Sequence, residues 1–358
     1  MTEDGRRYSV EPVRWGVLGA ARIATAKVIP GMQRGRVSNI VAIASRAADR
    51  ARAAAHAAAI PRAYGSYQEL LADPEIEAIY NPLPNHLHVP WSIRAAEAGK
   101  HVLCEKPIGL SADEARQLIA VRDRTGVHIA EAFMVRTHPQ WLAVRELVHT
   151  GRIGELRLIS AHLSYFKRDE LDIRNRAEYG GGALMDVGCY AIMLSRWLFG
   201  HEPEAVIASV ERDPDMQVDR LTSALLRFPS GQATFSCSMQ LVPYQRIHVF
   251  GTRGRIEVEI PMNTPPDRTC RIFIDDGRDL FGGGIHTIAY APVDHYTLQG
   301  DEFSRAVRGL GSVPVPLEDS LGNMAVIDAL FRSAETERWE APASAPDSSA
   351  SRSARSEW

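Results

Sequence analysis

The chain has 358 residues, of which 45% are hydrophobic and 24% charged, with a formal net charge of -3. That length is too great for one ordinary core and suits two domains. The near-neutral balance gives no field that would draw nucleic acid or an anionic membrane, and no stretch of about 18 apolar residues is present to span a membrane.

The first third alternates short apolar runs with helical patterns, as βαβ units on a parallel sheet do. Residues 14–18 read as a first strand and 22–33 as the helix after it. Residues 40–44 are a second strand, followed by an Ala/Arg-rich helix over 47–58. Ser66 and Glu69 form a capping box that starts a short helix, and 76–80 is the next strand. A helix over about 88–98 stops at Gly99, and 101–104 is again a strand. Ser111 and Glu114 open a helix that ends near Gly126, and 127–130 closes the region.

After Met134 the pattern changes. A helix over 139–149 leads into a β-rich half in which 156–166 alternates. Residues 221–228 and 232–239 flank Pro229-Ser230-Gly231, and 247–250 and 255–260 flank Gly251-Thr252-Arg253-Gly254. Both are hairpin signals. Residues 321–336 read as a last helix, and 341–358 is a Ser/Ala/Pro-rich tail expected to be disordered. The expected fold is α/β, with a parallel-sheet domain over 1–134 and an α+β domain with a large, mostly antiparallel open sheet over 135–340. Few helices are available to cover that second sheet, so a homodimer or homotetramer is expected.

Cys104, Cys189, Cys237 and Cys270 are far apart and form no Cys-x-x-Cys pair, which indicates neither a disulfide framework nor a zinc site. The twelve histidines show no metal-ligand spacing, so no metal is expected. Arg6-Arg7 lack the apolar run of an export signal, and the cytoplasm is the expected compartment.

Gly19-Ala20-Ala21-Arg22-Ile23-Ala24 lies between the first strand and the first helix and fits a relaxed G-x-(G/A)-x-x-(G/A) pattern. Such a turn brings backbone N–H groups and a helix N-terminus to a pyrophosphate, which would make the first domain a Rossmann dinucleotide-binding domain. Gly19, Ala21, Arg22 and Ile23 are its candidate contacts; a simple small-residue turn is the other reading. At the end of the second strand an Asp or Glu would hold the ribose 2′-hydroxyl of NAD. Ser45-Arg46 stand there instead, and a hydroxyl with a guanidinium suits a 2′-phosphate. NADP is therefore the expected cofactor, with NAD left open.

Four further stretches point one way. They are Asn81-Pro82-Leu83-Pro84-Asn85-His86-Leu87-His88, Gly99-Lys100-His101-Val102-Leu103-Cys104-Glu105-Lys106-Pro107, Glu131-Ala132-Phe133-Met134-Val135-Arg136-Thr137-His138-Pro139, and Gly180-Gly181-Gly182-Ala183-Leu184-Met185-Asp186-Val187-Gly188-Cys189-Tyr190. Together, to about Glu340, they resemble the glucose–fructose oxidoreductase / inositol dehydrogenase (Gfo/Idh/MocA) family. Tyr190 is similar to the branch that holds NADP-dependent xylose dehydrogenases and dimeric dihydrodiol dehydrogenases, since many other members carry His there. The resemblance implies a Rossmann domain, an open sheet domain that forms oligomers, and hydride transfer between a nicotinamide and a CH–OH or C=O group of a sugar, polyol or cyclic diol.

Such chemistry needs a held cofactor, a group to move the hydroxyl proton, and a positive donor for the developing alkoxide. Lys106, at the C-terminal end of a parallel strand, is the donor the resemblance implies. Tyr190 matches the proton donor or acceptor, provided that an adjacent cation such as Lys106 depresses its phenol. Asp186, four residues earlier, would share a helix face with Tyr190, orient substrate hydroxyls and keep Lys106 charged. Pro82, Asn85, His86 and Glu105 fall at strand ends on the cofactor side. Arg136 lies at the domain junction, as a substrate contact or a structural salt bridge, and Arg174 precedes the triple glycine as a second substrate candidate. Two other readings stay open: a cofactor-sensing regulator that keeps the fold without catalysis, and a glycosidase that uses bound NAD for transient oxidation.

Overall fold

The computed structural model describes residues 10–343. The tail from residue 344 onward, and Arg6-Arg7, fall outside the described residues.

Six strands build a first sheet: β1 (Val13–Leu18), β2 (Ser38–Ala44), β3 (Arg62–Tyr64), β4 (Ala78–Asn81), β5 (His101–Cys104) and β6 (Ile129–Glu131). Their order is β3-β2-β1-β4-β5-β6, all parallel. Strands covered on both faces read as near-continuous apolar runs, and β4 is buried throughout. The connecting helices are α1 (Ile29–Gln33), α2 (Ala48–Ala57), α3 (Tyr67–Ala72), α4 (His88–Glu97) and α5 (Ala112–Thr125). Both expected capping boxes are present: Ser66 Oγ accepts from Glu69 N, and Ser111 Oγ accepts from Glu114 N. The chain order reverses across β1 and β4, which opens a crevice at their C-terminal ends.

The helix expected over 22–33 is not one regular helix. It passes through a π-helical turn over Ala24–Val28 before α1. Pro30 is the physical reason: it has no N–H for the carbonyl of Ala26, so the ordinary four-residue ladder breaks there.

The second half contributes α6 (Pro139–His149), β7 (Leu156–Phe166), a π-helical turn Leu184–Gly188 that runs into α7 (Cys189–Phe199), and seven more strands. These are β8 (Ala205–Arg212), β9 (Asp219–Phe228), β10 (Gly231–Ser238), β11 (Gln240–Gly251), β12 (Arg255–Val258), β13 (Cys270–Asp275) and β14 (Ile285–Tyr290), followed by α8 (His295–Val307) and α9 (Leu317–Thr336). The second sheet runs β14-β13-β12-β11-β7-β10-β9-β8, antiparallel apart from β7 with β10. The two expected hairpins are β9–β10 and β11–β12. Helix α7 is buried on nearly every side and forms the centre of the larger core with α9 and the sheet.

Helix α8 was not legible as an element, and it returns to the first sheet. Trp15 Nε1 donates to Ser304 Oγ at 3.0 Å, and the Trp15 and Phe303 rings lie 5.3 Å apart. Asp301, buried, accepts from Arg36 N at 2.9 Å and Val37 N at 3.1 Å. Asp301→Ala leaves those two donors without their acceptor. It is expected to lower stability by about 2–4 kcal/mol in urea unfolding, with Asp301→Asn costing less. A loss no larger than that of an ordinary surface substitution would mean that α8 docks through its apolar face alone.

Candidate functional site

The crevice begins at the turn after β1. Gly19 has a φ of 88°, and a Cβ there would lie 3.0 Å from Leu83 Cδ2, so the turn requires glycine. Its N–H bonds Ala44 O at 2.8 Å, which pins the turn to the end of β2. Ala21 and Ile23 are half-buried and Arg22 is exposed at the start of the helix. At the end of β2, Ser45 is buried and Arg46 is exposed. Arg50 lies one helical turn on, and its Nη2 donates to Ala20 O at 3.1 Å. Burial pushes the Tyr67 phenol up while the Arg46 and Arg50 guanidiniums pull it down, which places two cations and a hydroxyl in one corner. Arg50 was missed in the sequence, although its i, i+4 spacing from Arg46 is the signal that finds it. A small-residue turn, a helix start and a cationic corner fit a dinucleotide with a phosphorylated ribose.

On the other side of β1, Pro82 is buried after β4. The next two candidates turn toward the second half of the chain. Asn85 Nδ2 donates to Gly180 O at 2.8 Å, and His86 stacks on Tyr179 with centroids 4.5 Å apart. They form one rim of the crevice and engage the glycine-rich loop.

Lys106 lies beyond β5, joined to Pro107 by a cis peptide. Its ammonium donates to Asp186 O at 2.5 Å and to Asp186 Oδ1 at 3.0 Å. An ammonium has three N–H groups, so one is left for a ligand. Burial lowers the lysine's pKa, but Asp186 more than offsets it, and Lys106 is held above its ordinary value. Burial raises Asp186; Lys106, Arg174 and Tyr165 overcome it and hold the carboxyl far below the usual range. The pair is ionised at neutral pH. Glu105 accepts from Tyr80 OH at 2.5 Å, and burial raises it despite the pull of Tyr80 and Lys106.

Asp186 sits in the second π-helical turn and Tyr190 in the first turn of α7. Gly182, with a φ of 118°, is what lets that turn start: a Cβ there would run into Asp219 Oδ1, while the other carboxylate oxygen, Oδ2, accepts from Leu184 N at 2.7 Å. The Lys106 ammonium lies 5.2 Å from the Tyr190 ring centroid, and the phenol contacts Met134 Sδ at 3.2 Å. The expected depression of this phenol is not found. Burial raises it well above its ordinary value, with Glu105 adding to the rise. Tyr190 therefore holds its proton at neutral pH.

The two arginines separate. Arg174 Nε reaches Asp186 Oδ1 at 3.2 Å, so it belongs to the cluster. Arg136 is engaged by Asp319 on α9 and lies 4.4 Å over the Trp197 ring, which is the structural of its two readings. Tyr165 was missed. Its OH donates to Asp186 Oδ2 at 2.6 Å, and burial pushes its phenol up. The alternation of β7 was the signal, since 159, 161 and 163 are buried and 165 continues that face.

Residues 13–133 match the family model for the oxidoreductase family, NAD-binding Rossmann fold, and 141–257 match the GFO/IDH/MocA C-terminal domain. The chain is 51% identical over 329 residues to an uncharacterized oxidoreductase of Rhizobium meliloti, covering 92% of this chain and 98% of that one. It is 38% identical over 325 residues to a D-xylose 1-dehydrogenase (NADP(+)) of Haloferax volcanii, covering 90% and 97%. Its fold superposes with a TM-score of 0.83 on KijD10, a 3-ketoreductase from Actinomadura kijaniata solved with NADP and TDP-benzene, at 30% identity over 90% of this chain and 98% of that one.

Tyr165→Phe removes a hydrogen bond to an ionised carboxylate. It is expected to lower kcat by about 10- to 100-fold while cofactor affinity stays unchanged. Steady-state turnover with cofactor titration checks both; an unchanged kcat would mean that Tyr165 only fills space.

Proposed function

The chain belongs to the GFO/IDH/MocA oxidoreductase family, and we propose that it is an NADP-dependent enzyme that moves a hydride between the nicotinamide and a CH–OH or C=O group of a sugar, polyol or cyclic diol. The observation that carries this reading is the Lys106 ammonium, fixed by Asp186 with one N–H to spare, beside the buried, protonated Tyr190 phenol.

NADP, when bound, supplies the hydride donor or acceptor. The residues that would hold it are Gly19, Ala21, Arg22 and Ile23 at the pyrophosphate turn, Ser45, Arg46 and Arg50 at the 2′-phosphate, and Pro82 and Glu105 at the nicotinamide end. Lys106 donates its remaining N–H to the substrate oxygen and stabilises negative charge there as the carbon changes oxidation state. Tyr190 gives its proton to that oxygen in the reducing direction and accepts it in the oxidising direction. Asp186 keeps Lys106 charged and orients neighbouring hydroxyls together with Tyr165 and Arg174. Residues 1–134 carry the cofactor in this reading, and 135–340 bind substrate and associate with a second copy across the open sheet. Among the described residues, no helix is long and apolar enough to cross a membrane. We place the enzyme in the cytoplasm, with no membrane or nucleic-acid partner.

The test is nicotinamide absorbance with purified protein, NADP and NAD in parallel, across aldoses, inositols and cyclic diols. Lys106→Ala is expected to abolish turnover while cofactor still binds, and retained turnover would remove Lys106 from the chemistry. Arg46→Ala is expected to weaken NADP by about 10- to 100-fold and NAD little. Equal losses would make Arg46 structural. Cofactor binding without turnover on any substrate would favour the sensing regulator, and a bound cofactor that survives purification and never turns over would favour the glycosidase.

A further inference from the structure

The segment that carries Lys106 is gripped at two successive residues by buried titratable groups that the mechanism above does not use. Pro107 O meets His88 Nδ1 at 2.7 Å, and Ile108 N donates to Glu131 Oε1 at 2.8 Å. Glu131 ends β6 and is 2% exposed. Its other oxygen, Oε2, is buried without a hydrogen-bond partner, and so is the hydroxyl of Ser320 in the first turns of α9, the side chain that faces it. The Ser320 hydroxyl could serve an ionised Oε2 as a donor, but burial outweighs it, so an ionised carboxylate in that position is costly.

The charged neighbours do not relieve it. Asp319 on α9 disfavours ionisation, and Arg196 on α7, which favours it, is already bonded to Glu202 and Asp319. Cys104 on β5 and Cys189 on α7 face the same space, and burial raises both thiols. His88 on α4 is lowered to about 4 by burial, against the pull of the Pro107 and Leu83 carbonyls that meet its two ring nitrogens. Burial pushes the Glu131 carboxyl up to about 8.

We propose that Glu131 is a positioning residue for Lys106: as the protonated acid it fixes the Ile108 amide with one oxygen and turns the O–H of the other to Ser320, and ionisation loosens that hold. The proposal rests on Lys106 acting at the reaction centre. It adds that the strand next to the reactive lysine carries a neutral acid whose proton ties β6 to α9.

The test uses the full chain with Glu131→Gln and Glu131→Ala. Gln keeps one acceptor and one donor, so Glu131→Gln is expected to retain turnover at pH 7, while Glu131→Ala loses roughly 10- to 100-fold in kcat with cofactor affinity held. In the carbonyl-reducing direction Tyr190 and Lys106 keep their protons well past neutral. Wild-type reduction is therefore expected to fall as pH rises through about 8, and Glu131→Gln to lack that fall. An identical fall in both would overturn the proposal.

A second readout needs no turnover. A carboxyl raised from 4.5 to about 8 on folding stabilises the fold fully below about pH 4.5, and that contribution is lost as pH rises to about 8. Unfolding midpoints should therefore show wild type losing stability relative to Glu131→Gln across that window. Parallel curves would overturn the proposal. If wild type reduces no substrate, the functional reading fails on its own, and the stability comparison still decides whether Glu131 holds its proton. Should Glu131→Ala fail to fold, Glu131→Gln carries both measurements.

Discussion

The ion pair between Lys106 and Asp186 joins the two halves of the molecule across the crevice. Lys106 is set by a parallel strand of one sheet, and Asp186 by a helical turn packed on the other. Neither ion would tolerate that burial alone, because an unpaired charge in a low-dielectric interior is strongly disfavoured. Each therefore fixes the protonation state of the other, and Tyr165 and Arg174 saturate what remains of the carboxylate. The arrangement fits transition-state stabilisation because its donors are oriented before any ligand arrives.

Around that pair the chain resolves an electrostatic conflict in layers. The cations of the second half are answered locally: Arg174 by Asp172 and Asp186, Lys167 by Asp172, Arg168 by Asp213 and Asp215. Arg136 and Arg196 converge on Asp319, which steadies α9 against α7. The cationic corner at Arg46 and Arg50 stands apart, at the far end of the first sheet. The ions thus fall into distinct clusters, and single substitutions in different clusters should act nearly independently.

What the sequence made legible is what the chain encodes locally. Gly19 is required by its own φ, the capping boxes by residues three apart, and the hairpins by glycines between apolar runs. Lys106, Asp186 and Tyr190 were legible through the resemblance, and the structure brings them together. What stayed hidden depends on distant partners. Tyr165 becomes part of the site only because β7 passes Asp186, and α8 only because its polar face meets Arg36 and Val37 some 260 residues away. Arg136 had two readings until Asp319 was placed beside it. The Tyr190 phenol went the opposite way from expectation because burial outweighs a neighbouring ammonium, and burial is a property of the whole fold.

The return of α8 to the first sheet also gives the molecule an unusual topology of attachment. The chain leaves the first sheet after β6, returns to it in α8, and goes back to the second half in α9, beyond which Glu340 bridges to Val206 on β8. Three passages of one chain, together with the Lys106–Asp186 pair, hold the two halves in register across the crevice. Circular permutation that opens the chain in the exposed β13–β14 connection would leave all three passages intact.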